Sequence, residues 1–128
     1  MDLCKQRVRR GALSSWRVRR VQAFVEDNLS AKLRVDQLAD LIALSPSHFM
    51  RAFRSRLGVT VRSYIESRRV EAAKELMLRT SASLTDIALQ CGMTDQPHFT
   101  RVFRRNVGQP PHRWRKSQFD STVLSNRD

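Results

Sequence analysis

The residues best suited to chemistry in this chain come in matched sets. HFMRAFRSRLG at 48–58 and HFTRVFRRNVG at 98–108 keep His, Phe, Arg, Phe, Arg and Gly in step at an offset of 50 residues. Each set carries one imidazole, His48 or His98, and at least two guanidinium groups, Arg51 with Arg54 or Arg101 with Arg104. A guanidinium is a planar fork that suits phosphate oxygens and the edge of guanine. Thiol and metal chemistry have less support. Cys4 and Cys91 are too few for a disulfide framework or a four-cysteine site, and His48, His98 and His112 show no HxxxH or CxxC spacing. No metal and no cofactor is expected.

The composition points the same way. The chain has 128 residues, a net charge of +12, and 24 basic residues of which 20 are Arg. Such an excess destabilises a compact chain by self-repulsion unless a polyanion offsets it. Nucleic acid is the expected partner, ahead of a membrane surface. With 41% apolar and 28% charged residues the chain is globular rather than disordered. The N-terminus has charge but no apolar stretch after it, and no run approaches the roughly 18 apolar residues of a membrane span. A reducing cytoplasm is the expected location.

The matched sets need elements to position them. No apolar–polar alternation is long enough for a strand, so an all-α fold is expected. Residues 1–13 read as a basic flexible arm. Ser14 and Ser15 then open a helix whose apolar residues Trp16, Val18, Val21, Phe24, Val25 and Leu29 recur at helical spacing. VDQLADLIAL is a short helix with Leu38, Ala39 and Ile42 inward. After a break, Ser45 as N-cap and Pro46 at the first helical position start the helix that holds the first set, and Gly58 stops it. Thr60 can cap a longer helix, 61–78, with Ile65, Ala72, Ala73, Leu76 and Met77 buried. The plan then repeats. Ser83 and Asp86 make a capping-box pattern, TDIALQCGM is the short helix, Cys91-Gly92 the break, and Asp95 the cap of the second matched helix. Gly108 ends that helix, Trp114 stands where Tyr64 stood, and 117–128 read as a flexible tail. The expected layout is 14–60, a linker helix 61–78, and 79–116.

At about 100° per residue, Phe49, Ala52, Phe53 and Leu57 form one stripe of the first matched helix, and Phe99, Val102, Phe103 and Val107 one stripe of the second. Those stripes are core. Ser47, Arg51, Arg54 and Ser55 lie opposite, as do Arg101, Arg104 and Arg105, with His48, Met50, His98 and Thr100 on the flanks. A short helix, a tight break and a longer helix with a basic free face make a helix-turn-helix, whose second helix can lie in the major groove. Arg51 and Arg101 suit guanine. Arg54, Arg104, Arg105, Arg113 and Arg115 suit phosphates, which supply affinity without sequence information.

The stretches LADLIALSPSHFMRAFRSRLGVTVRSYIESRRVEAA and LTDIALQCGMTDQPHFTRVFRRNVGQPPHRWR resemble the DNA-binding domain of the AraC/XylS family of bacterial transcription regulators, over about residues 16 to 116. The resemblance implies two helix-turn-helix subdomains, three-helix units of the homeodomain kind, joined by a long helix. It implies one recognition helix from each in successive major grooves. Matched residue by residue, Ser47, Met50 and Arg51 of the first helix and Gln96, Pro97, His98 and Arg101 of the second would read bases, with His48 beside them. Arg34 stands where a cap such as Ser is common. Met50 and Pro97 offer no ordinary hydrogen bond; Met50 suits a thymine methyl and Pro97 a helix start. Most members carry a further sensing or dimerising domain, and the chain resembles the minority that are a bare DNA-binding domain. Two covalently joined readers need no dimer, so a monomer on two unlike boxes about one turn (roughly 34 Å) apart is expected, with flexible intervening DNA preferred. Activation would add RNA polymerase as a partner.

Two other readings compete. One is a non-specific basic nucleic-acid-binding or architectural module, against which the matched helices argue, since charge alone requires no repeated core. The other is an enzyme, with Cys4 as an acceptor in DNA repair. Cys4 has no base or metal partner in sequence, and Cys91 sits at a helix break where a small apolar residue packs well, so the chain is read as not an enzyme.

Overall fold

A computed structural model describes residues 13–126, with side chains as far as 120. Among these residues there are seven helices and no strand: α1 (Ser15–Asp27), α2 (Val35–Leu41), α3 (Pro46–Leu57), α4 (Val61–Arg79), α5 (Leu84–Gln90), α6 (Gln96–Val107) and α7 (Pro111–Asn126). The all-α expectation holds. No helix among the described residues is long and apolar enough to cross a membrane.

The chain forms two compact units whose boundary falls inside α4, between Ile65 and Glu66. α4 spans the range 61–78 that the sequence reading sets apart as a linker helix. It contributes Val61 and Ile65 to the first core, and Val70, Ala73 and Met77 to the second. A short helix and a recognition helix bury only one stripe each, and a third wall is needed to close a core. Val70, fully buried, escaped the sequence reading, while Ala72 and Leu76 are only partly buried.

In the first unit Val18, Val21 and Val25 of α1, Leu38 and Ala39 of α2, and Phe49, Ala52 and Phe53 of α3 bury their helical stripes together. The rings of Phe49 and Phe53 meet edge to face at 5.6 Å, and Phe53 meets Tyr64 in the same way at 5.5 Å. Such pairs contribute beyond their buried area. The second unit repeats the arrangement with Phe99 and Phe103 at 5.6 Å and Phe103 and Trp114 at 5.7 Å. Ile87 and Ala88 of α5, Cys91, Met93 and Val102 complete that core.

The caps follow the side chains available. Ser45 Oγ accepts the His48 N–H, Ser83 Oγ accepts the Asp86 N–H, and Thr60 Oγ1 accepts the Ser63 N–H. Arg34 holds the N-cap place of α2 with no side-chain acceptor to offer; only the reciprocal bond forms, from the Arg34 N–H to Gln37 Oε1 at 3.4 Å.

Three expectations need correction. Leu13, placed in the flexible arm, is buried at N′ of α1 in the same cluster as Val18 at N4, the positions of a hydrophobic staple. Trp16 was placed on the apolar stripe of α1, yet it is 53% exposed with the Arg17 guanidinium 5.2 Å above its ring. The valines of α1 face the core, and Trp16 lies away from them. Residues 117–126, read as a tail, continue α7, since neither Gly nor Pro follows Pro111 to stop it. Residues 1–12 and 127–128, with Cys4 and the rest of the arm, lie outside the described residues.

Candidate nucleic-acid interface

Both recognition helices turn their buried Phe pair inward and leave polar side chains on the free face. On α3, Ser47, Met50, Arg51 and Arg54 are exposed and His48 is half-buried. Met50 is 45% exposed, an apolar thioether among polar neighbours. On α6, Gln96, Pro97, Arg101, Arg104 and Arg105 are exposed, and His98 is half-buried. Asp95 Oδ1 accepts the His98 N–H at 2.8 Å, which fixes the start of α6. Pro97 falls in the first turn, where its missing N–H costs nothing.

The turns before the two helices are alike up to one residue. The Leu44 N–H reaches Ala39 O at 3.0 Å, and the Met93 N–H reaches Ala88 O at 2.9 Å. The residue before each donor is left-handed: Ala43 at φ 57° and Gly92 at φ 79°. Then the turns diverge. Ser45 caps α3 directly after Leu44, whereas Thr94 intervenes between Met93 and the cap Asp95. Thr94 makes itself useful to His98: its N–H lies 3.3 Å and its hydroxyl 3.2 Å from Nδ1. A second bond holds the first residue of α6, from Thr85 Oγ1 on α5 to Gln96 Oε1 at 3.0 Å.

The five arginines expected at phosphates divide. Arg54, Arg104 and Arg113 are exposed. Arg105 pairs with Glu66 at 2.7 Å, on a carboxylate only 15% exposed. Arg115 turns inward along its whole fork: Nε donates to Met77 O at 3.0 Å, Nη1 to Ala82 O at 2.9 Å and Nη2 to Thr80 O at 2.6 Å. It satisfies carbonyls left over at the C-terminus of α4 and in the loop beyond. Its place on α7, next to the core residue Trp114, brings it over that loop. Sequence reasoning missed this role, and missed Thr85 and Thr94. The one available signal was the register. Ile87 and Ala88 stand 49 residues after Leu38 and Ala39, but Phe99 stands 50 after Phe49, so the second turn holds one more residue.

Cys91 is buried in the second core, and burial pushes its thiol up to about 11, with Arg69 only partly opposing the shift. At neutral pH it is a protonated, apolar packing group rather than a nucleophile. No group of three or more His, Cys, Asp or Glu among the described residues could hold a metal ion.

Two units, each a short helix, a tight turn and a basic recognition helix, define a paired helix-turn-helix protein. A family model described as a helix-turn-helix domain matches residues 38–117. The bifunctional transcriptional activator/DNA repair enzyme AdaA of Bacillus subtilis (strain 168) is 34% identical over 115 residues, which are 89% of this chain and 54% of that protein. Among solved structures, the DNA-binding domain of the global transcriptional factor AdpA, in complex with a target DNA, aligns with a TM-score of 0.72 and 28% identity over 76% of this chain and 87% of that one. An AraC-type transcriptional regulator from Chromobacterium violaceum aligns with a TM-score of 0.73 and 27% identity over 78% of this chain and 89% of its own. The chain belongs to the AraC-type helix-turn-helix family. It spans from 35% to 54% of the length of the first curated relatives it matches.

Proposed function

We propose that this chain is a sequence-specific double-stranded-DNA-binding transcription regulator that lays α3 and α6 in successive major grooves. One observation carries the reading. The same buried Phe pair stands behind two exposed faces of different composition, Ser47, Met50 and Arg51 on one, Gln96, His98 and Arg101 on the other. A protein that used charge alone would need no repeated core-and-reader helix. AdaA is by name a transcriptional activator, and the AdpA domain is held on a target DNA; both support the reading. Arg51 and Arg101 are the guanine contacts, His48 and Ser47 flank the first, and Met50 meets a thymine methyl. Arg54, Arg104 and Arg113 supply phosphate contacts. The domain binds as a monomer in the cytoplasm, on two unlike boxes, and reaches transcription by contact with RNA polymerase.

Selection from a random duplex pool at physiological salt, where non-specific binding is weak, tests this. An asymmetric motif of two unlike boxes about one turn apart is expected. The net charge of +12 favours one other reading, a non-specific nucleic-acid-binding module. Retention of random duplex with no enriched sequence would establish that module instead.

A further inference from the structure

The two readers differ in what holds their side chains. Gln96 opens α6, and its Oε1 accepts the hydroxyl hydrogen of Thr85. That bond takes one of the two lone pairs of the amide oxygen and turns it toward the protein, which leaves the NH2 group as the side chain's freer offer. His98 is tied from the other side. The backbone N–H of Thr94 lies 3.3 Å from Nδ1. A backbone N–H can only donate, so Nδ1 is the nitrogen without hydrogen and Nε2 carries it in the neutral ring. Arg101, a turn further along the same exposed face, has donors only. Pro97, between Gln96 and His98, has none.

We infer that Thr85 and Thr94 bias α6 toward donating to bases, and that the box it takes is dominated by guanine. The inference rests on the reading of α6 as a base-contacting helix. Guanine shows two adjacent acceptors, N7 and O6, in the major groove. Adenine sets its N6 donor beside N7, and a glutamine reads that pair bidentately only when its oxygen and its NH2 group both turn to the base. Cytosine shows the N4 donor. The donors offered by Gln96, His98 and Arg101 therefore match guanine better than either other base. The first reader is not so restricted, because Ser47 both donates and accepts and Met50 is apolar.

The test begins with the selected duplex and Gln96→Ala, which marks the base pair that Gln96 reads. At that pair the wild-type chain is expected to prefer G·C over A·T by about tenfold. Thr85→Val keeps the shape of an exposed side chain but removes its hydroxyl, frees the Gln96 oxygen, and should lower that ratio several-fold toward A·T without changing the pair read by Arg101. A wild-type preference for A·T there, or a ratio that Thr85→Val does not move, overturns the inference. A readout without DNA is the 15N spectrum of the His98 ring in the free protein. A hydrogen on Nε2 is expected, and one on Nδ1 would sink the proposed donor set. If a motif is enriched but no base pair depends on Gln96, this inference falls alone; if no motif is enriched, the reading of α6 as a base reader falls with it.

Discussion

The first unit builds its turn from Ile42, Ala43 and Leu44, and the second builds its own from Cys91, Gly92, Met93 and Thr94. Behind these turns the aromatic cores superpose in kind: Phe49, Phe53 and Tyr64 against Phe99, Phe103 and Trp114, at matching separations. In front of them little is shared except the arginines and the flanking His48 and His98. The first reader starts on a serine cap, and among the described residues its side chains show no clamps like those of the second. The second starts one residue later, and the extra residue is the one that orients His98. The difference shows how a duplicated fold can keep its packing and change its readout. Packing constrains the inward stripe, while a single residue added to a turn re-equips the outward face.

The largest expected effect concerns what the units share. Phe53→Ala and Phe103→Ala each remove the central ring of one three-ring stack, and each should cost about 3–5 kcal/mol in denaturant unfolding. A large difference between the two would break the equivalence of the cores. Next comes a position where the units part. Arg115 stands 50 residues after Ile65, a core residue of the first unit, yet it is a fork on three carbonyls. Arg115→Ala should cost about 1–3 kcal/mol by leaving those acceptors unpaired. Arg115→Lys should recover little, since an ammonium lacks the fork.

Much of this was legible beforehand. The offset of 50, the 3.6-residue stripes and the caps Ser45, Ser83 and Asp95 fixed the helices and their inward faces, because burial and capping act on residue types that pattern alone reveals. Trp16 lies on solvent because, at about 100° per residue, it falls on the side of α1 opposite Val18, Val21 and Val25, and its apolar type alone does not place it on their stripe. Thr85, Thr94 and Arg115 were missed for another reason. Their partners lie 11, 4 and 33–38 residues away, and bonds across a turn or between helices depend on the packing that brings them together.

Smaller effects sharpen the contrast between the turns. Ala43 occupies a left-handed position where Gly92 stands in the second unit. A side chain there costs about 1–2 kcal/mol, partly offset by the greater chain entropy that Gly loses on folding. Thus Ala43→Gly should raise the unfolding free energy by about 0.5–1 kcal/mol, whereas Gly92→Ala should lower it by a similar or larger amount. If both substitutions moved the melting temperature the same way, the turns would not be equivalent. Comparable effects are expected at the short helices, the smallest of them at Arg34. Ser83→Ala should lose about 1 kcal/mol of capping, and Arg34→Ser should gain about half of that by giving α2 the acceptor it lacks. Thermal unfolding of the pair measures both.

Two unlike readers in one chain are tested most directly by the binding of Arg51→Ala and Arg101→Ala to the selected duplex and to variants with each box scrambled. Each substitution should weaken binding by about 1–3 kcal/mol and relax preference in one box only, Arg51 in one and Arg101 in the other. Loss of preference in both boxes from either substitution, or in neither box from both, would contradict the account.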